Sequence, residues 1–70
     1  MRVICSAVVP DEKRRKALCT CVQIIGGTPK VNGDKVSVEY EGSATIALKY
    51  ASLFERYDDH DIKTTISERR

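Results

Sequence analysis

Seven consecutive residues, Lys35-Val36-Ser37-Val38-Glu39-Tyr40-Glu41, alternate polar and apolar at every position. A period of two is the pattern of a β-strand with one face in a core and the other in water, and a helix of 3.6 residues per turn does not produce it. Val36, Val38 and Tyr40 are predicted to point inward. Immediately upstream, Asn32-Gly33-Asp34 brings together residues that tolerate positive φ, the strongest local turn signal in the chain, and Thr28 to Val31 supplies a short candidate partner strand. A hairpin is expected there.

The flanking segments read as alternating strand and helix. Residues 2 to 9, Arg-Val-Ile-Cys-Ser-Ala-Val-Val, carry β-branched and small apolar residues, with Val3, Cys5, Ala7 and Val9 on the more uniformly apolar face. Pro10 stops that strand, and Asp11 and Glu12 place negative charge where a helix N-terminus favours it, so a helix is predicted from about residue 11 to 25. Leu18, Cys21, Val22 and Ile25 form its core stripe, with Ala17 and Ile24 beside it. Gly26-Gly27 permits the left-handed conformation that ends helices, and Pro29 prevents continuation. Beyond the hairpin, Gly42 breaks the strand, Ser43 is the expected N-cap, and a second helix is predicted from about Ala44 to Tyr57. After an acidic loop, Asp58-Asp59-His60-Asp61, the residues Ile62, Thr64 and Ile66 alternate with polar ones as a last strand, followed by a frayed Glu68-Arg69-Arg70 tail.

The order is βαββαβ. Two crossover helices separated by a hairpin define the split βαβ arrangement, so the fold expected is ferredoxin-like α+β, with a four-stranded antiparallel sheet and both helices on one face. At 70 residues the chain has room for one small core, hence a single domain over residues 1-70. Many unrelated functions share this architecture, so function has to be sought in particular residues.

Charge and hydropathy bound the search. Twelve basic and ten acidic residues leave a formal charge of +2, too balanced to indicate nucleic acid by itself. No apolar run approaches the roughly 20 residues of a membrane helix, and no signal-peptide pattern follows Met1. A cytoplasmic protein is expected, with Cys5, Cys19 and Cys21 as free thiols, because a C-x-C pair with one distant cysteine matches no four-ligand zinc spacing.

Few constellations suggest chemistry. Cys19 and Cys21 lie two apart on a helix and so point to nearly opposite sides, whereas Cys5 and Cys21 share predicted inward faces; Cys5 with Cys19 or Cys21 defines a thiol or metal-binding alternative. His60 stands among Asp58, Asp59 and Asp61, but the spacing lacks the glycine and later glutamate of a calcium loop. With one histidine, in a loop, no nucleophile-base pair can be argued, so no enzymatic activity, cofactor or metal is expected. The predicted open sheet face offers no aromatic platform for bases. The basic run Lys13-Arg14-Arg15-Lys16 carries the nucleic-acid alternative, against the reading that it solvates the first helix.

The second helix is more apolar than a two-layer domain requires. Ala44, Ala47, Leu48, Ala51 and Phe54 mark one side, Ile46, Tyr50, Leu53 and Tyr57 make a further stripe, and Thr45, Lys49, Ser52, Glu55 and Arg56 form the polar arc. Ile46, Tyr50, Leu53 and Tyr57 are therefore the candidate partner-binding residues, since exposed apolar patches with tyrosines are frequent contact sites; packing on the first helix and the sheet is the competing reading. Ile4 and Val8, at the centre of the open sheet face, form a second candidate contact. The expectation is a non-enzymatic protein-binding or regulatory module, acting on a protein partner or as a homodimer; a phage or mobile-element inhibitor of a host protein would work by the same kind of surface contact.

Overall fold

The computed structural model describes residues 1 to 69. The elements are β1 (Arg2–Val8), α1 (Glu12–Ile25), β2 (Lys30–Asn32), β3 (Lys35–Glu41), α2 (Ala44–Tyr57) and β4 (Lys63–Arg69). The four strands form one sheet in the order β2-β3-β1-β4, every neighbouring pair antiparallel. This is the ferredoxin-like α+β fold expected from the pattern.

Alternation fixes which face each strand buries. Val3, Cys5 and Ala7 of β1 are buried and pair with Tyr40, Val38 and Val36 of β3, while Ile4, Ser6 and Val8 lie on the opposite face. Both helices pack on the Val3 side. Leu18 and Val22 from α1, and Ala47, Tyr50, Ala51, Leu53 and Phe54 from α2, complete the core with Val9 and Ile62.

The ends of α1 follow from local chemistry. Asp11 is the N-cap, its Oδ1 accepting from the Lys13 N–H at 2.9 Å. At the other end Gly26 sits at φ 108, the Gly27 N–H donates to the Val22 carbonyl, and the Gly26 N–H donates to that of Gln23. These two bonds are the Schellman pattern, which satisfies carbonyls that helix termination would leave orphaned. In the hairpin, Gly33 has φ 61 and Asp34 does not have positive φ, so the turn is type II′ with glycine in its first central position.

Four expectations shift. β2 begins at Lys30 rather than Thr28, because Pro29 has no N–H to give a ladder. Ile62 precedes β4 as a buried residue instead of starting it, and β4 runs on through Glu68 and Arg69, which pair with Val3 and Arg2. The predicted frayed tail is thus sheet as far as Arg69, since β1 extends far enough to partner it; Arg70 lies outside the described residues. Ser43 occupies the N-cap position of α2, but its side chain makes no capping bond. Its N–H instead donates to the Tyr40 hydroxyl at 3.2 Å.

Candidate functional site, a groove between the helices

The contact stripe expected on α2 divides when it is folded. Tyr50 is fully buried and belongs to the core, and Leu53 is nearly so. The Tyr50 ring packs on Tyr40, with centroids 5.4 Å apart and planes tilted by 41°. It also lies directly against Gly27, where an added Cβ would meet the Tyr50 hydroxyl oxygen at 2.6 Å. The absent side chain at Gly27 is what lets this tyrosine fit beneath the end of α1. Ile46 and Tyr57 are half-buried against the core. Burial and the neighbouring Cys21 raise the Tyr57 phenol above its ordinary pKa.

What α2 exposes is a different arc. Leu48 is 50% exposed, and across from it Ile24 of α1, at 78%, is the most exposed large apolar side chain of the described residues. Both line an open groove of about 640 Å³ between the two helices, into which Cys21, Ile25 and Leu53 also project. Thr45 and Ser52 contribute hydroxyls, and Lys49 and Arg56 contribute positive charge. Of the four residues singled out from the sequence, only Leu53 lines this groove.

Antiparallel packing of the helices places these residues together. Arg14, at the start of α1, donates to Asp59, just beyond the end of α2, at 2.6 Å. The end of α1 carrying Ile24 and Ile25 therefore lies beside the start of α2, next to Thr45, Leu48 and Lys49. Ile24 was legible only as a neighbour of the α1 core stripe, and Leu48 as an extension of the α2 core side. A helical wheel places residues on an arc but does not say where the neighbouring helix stops covering it.

The basic run is largely engaged within the fold. Arg14 pairs with Asp59, Arg15 lies 3.5 Å from Asp34 and donates to the Val9 carbonyl at 2.9 Å, and Lys16 lies 3.2 Å from Glu12. Lys13 is the one member of the run without an ion pair among the described residues. The acidic loop is likewise occupied with local structure: Asp59 Oδ1 accepts from the N–H groups of Asp61 and Ile62, and Asp58 Oδ1 accepts from that of Thr64. The bond from Arg14, together with these N–H groups, holds the Asp59 carboxyl below the usual carboxylate range. His60 is exposed beside them.

The three cysteines are free thiols in different settings. Cys5 is in the core, where burial, with Glu68 adding, pushes its thiol up to about 11. Cys21 faces the interhelical groove, and Cys19 lies on the other flank of α1, near Val31. On the open sheet face, Ile4 and Val8 are 36% and 45% exposed but are separated by Ser6. Their cross-strand neighbours are Glu39 and Ser67 for Ile4, and Lys35 and Lys63 for Val8, so this face has no continuous apolar patch.

The fold and the groove together describe a small α+β domain with a partly apolar, positively charged cleft on its helical side. In comparisons with known proteins, no family model and no curated protein matches the chain.

Proposed function

We propose that this domain is a non-enzymatic protein-binding module whose contact surface is the groove between α1 and α2. The observation that carries the reading is the pairing of Ile24 and Leu48, two large apolar side chains held in water on facing helices above a floor formed by Leu53, Ile25 and Cys21. Apolar surface of this kind is stabilised by removal from water at about 25 cal/mol per Å², and a concave site lets a partner cover several such side chains at once. Tyr50, fully buried in the core, lies outside the groove lining, to which Leu53 alone of the expected stripe contributes.

The test is site-specific photocrosslinking in cells expressing the protein, with the crosslinker at Leu48 or Ile24 and, as a control on the open sheet face, at Lys35. Crosslinked protein at the first two positions and not at the third supports the groove. Equal or absent yield at all three refutes it. Light scattering with size exclusion distinguishes a second copy from a different protein: a mass that doubles with concentration and returns to monomer in Leu48→Asp identifies self-association.

A further inference from the structure

We propose that the groove receives an acidic amphipathic helix of a partner protein, whose carboxylates meet Lys49 and Arg56; this rests on the protein-binding reading above. Both cations line the groove, and no carboxylate does. Neither belongs to an ion pair among the described residues, although four other basic side chains do. Glu55, the one acid on α2, lies outside the lining. The cleft therefore presents uncompensated positive charge beside exposed apolar surface.

Spacing defines the ligand further. Lys49 and Arg56 are seven residues apart, two turns of one helix, which places them on the same face at a separation of about 10 Å along the axis. A third helix lying in the groove repeats on the same period. Acidic residues seven apart on it reach both cations, and apolar residues three and four positions after the first fall between them, over Leu53 and Cys21 of the groove floor, with Leu48 and Ile24 beside the Lys49 end. The cleft is open along its outer side, which suits a helix docking by one face better than a small molecule needing enclosure. Two cations in a concavity are also fewer than the roughly four to eight basic residues of a lipid-binding cluster.

Cys21 makes the test direct, because its thiol lines the groove while Cys5 is buried. In a Cys19→Ser variant, the rate of maleimide labelling at Cys21 is followed as a synthetic helical peptide is titrated into the millimolar range. The peptide carries leucines at i+3 and i+4 and glutamates at i and i+7; its partner control replaces the glutamates by lysines, and anionic phosphatidylglycerol vesicles form a third arm. The acidic peptide is expected to slow labelling at least about tenfold at saturation, and the lysine peptide and vesicles to leave it unchanged. Lys49→Gln with Arg56→Gln, two exposed substitutions, should weaken the apparent affinity about tenfold, the fold-change for two partly exposed ion pairs. Equal protection by both peptides, protection by neither, or protection by vesicles alone overturns the inference. Should Leu48 crosslink a protein while the acidic peptide gives no protection, the groove keeps its role and only the assigned ligand chemistry fails; should Leu48 crosslink nothing beyond the Lys35 control, the protein-binding reading itself falls.

Discussion

Replacing Gly27 by alanine adds one methyl group at a position whose φ is not positive, so the backbone itself raises no objection. The objection comes from Tyr50, whose hydroxyl oxygen would lie 2.6 Å from the new Cβ and whose Cε1 and Cζ would lie 3.1 Å from it. Those distances are well inside van der Waals contact, and the ring is fully buried and backed by Tyr40, so it has little room to retreat. Overpacking of this kind costs about 1–3 kcal/mol, while alanine in place of glycine returns about 0.4–1 kcal/mol by restricting the unfolded chain. The net expectation is a loss of about 1–2 kcal/mol. With a urea m-value of about 1 kcal/mol/M for so small a domain, the unfolding midpoint should fall by about 1–2 M with m unchanged. Tyr50→Phe in the same background removes the closest atom and should recover part of the loss, giving a positive coupling in a double-mutant cycle. A neutral or stabilised Gly27→Ala protein, or strictly additive effects of the two substitutions, would refute the claim that Tyr50 is seated on the glycine.

Phe54 is fully buried, and Phe54→Ala should cost about 3–5 kcal/mol by denaturant titration, leaving little folded protein at room temperature. Gly33→Ala places a Cβ in the left-handed region at φ 61 and should cost about 1–2 kcal/mol in the same assay, without changing the core. Because the Cys5 thiol is raised from 9.0 to about 11, the folded chain holds that proton to higher pH than the unfolded chain; this contribution is intact below pH 9 and is lost as pH rises to 11. The raised phenols of Tyr50 and Tyr57 act in the same direction. The unfolding free energy from urea titrations should therefore fall between pH 9 and 11, by roughly 2 kcal/mol from the thiol alone, and Cys5→Ala should flatten the fall even though its neutral-pH stability is lower. An identical alkaline slope in wild type and Cys5→Ala would contradict this account.

Elements with a strict internal rhythm were legible before folding. β3 announces itself through seven alternating residues, α2 through Gly42-Ser43 and its dense apolar face, and the end of α1 through two glycines. The long contacts were harder to read. Nothing local to Tyr50 says that a glycine 23 positions earlier leaves a space for its ring, so the wheel drew Tyr50 onto a surface stripe. Leu53→Asp, which the wheel would nominate as a surface test, now introduces a charge into a nearly buried position, and Leu48→Asp is the informative substitution. The basic run misleads for a related reason: adjacency of Lys13, Arg14, Arg15 and Lys16 advertises a charged patch, while their partners Asp59 and Asp34 arrive from distant loops. Lys49 and Arg56 looked like ordinary polar-arc residues because their setting depends on Ile24 across the groove.

β1 lies in the interior of the sheet, yet neither of its partners is close in sequence. Cys5 pairs with Val38 on one side and Ile66 on the other, so β1 has no neighbour in the sheet until β3 exists, and keeps one open edge until β4 is complete. The helices and the β2-β3 hairpin can flicker into being locally, but the step that joins them must close loops of some thirty to sixty residues, a search that slows folding in proportion to the chain entropy surrendered. Through that interval Val3 to Val9 is an apolar, strand-prone segment with no charge of its own, the type of sequence that associates with other chains. The slower that closure, the longer this segment stays exposed before the structure in which Ile24 and Leu48 line one groove is reached.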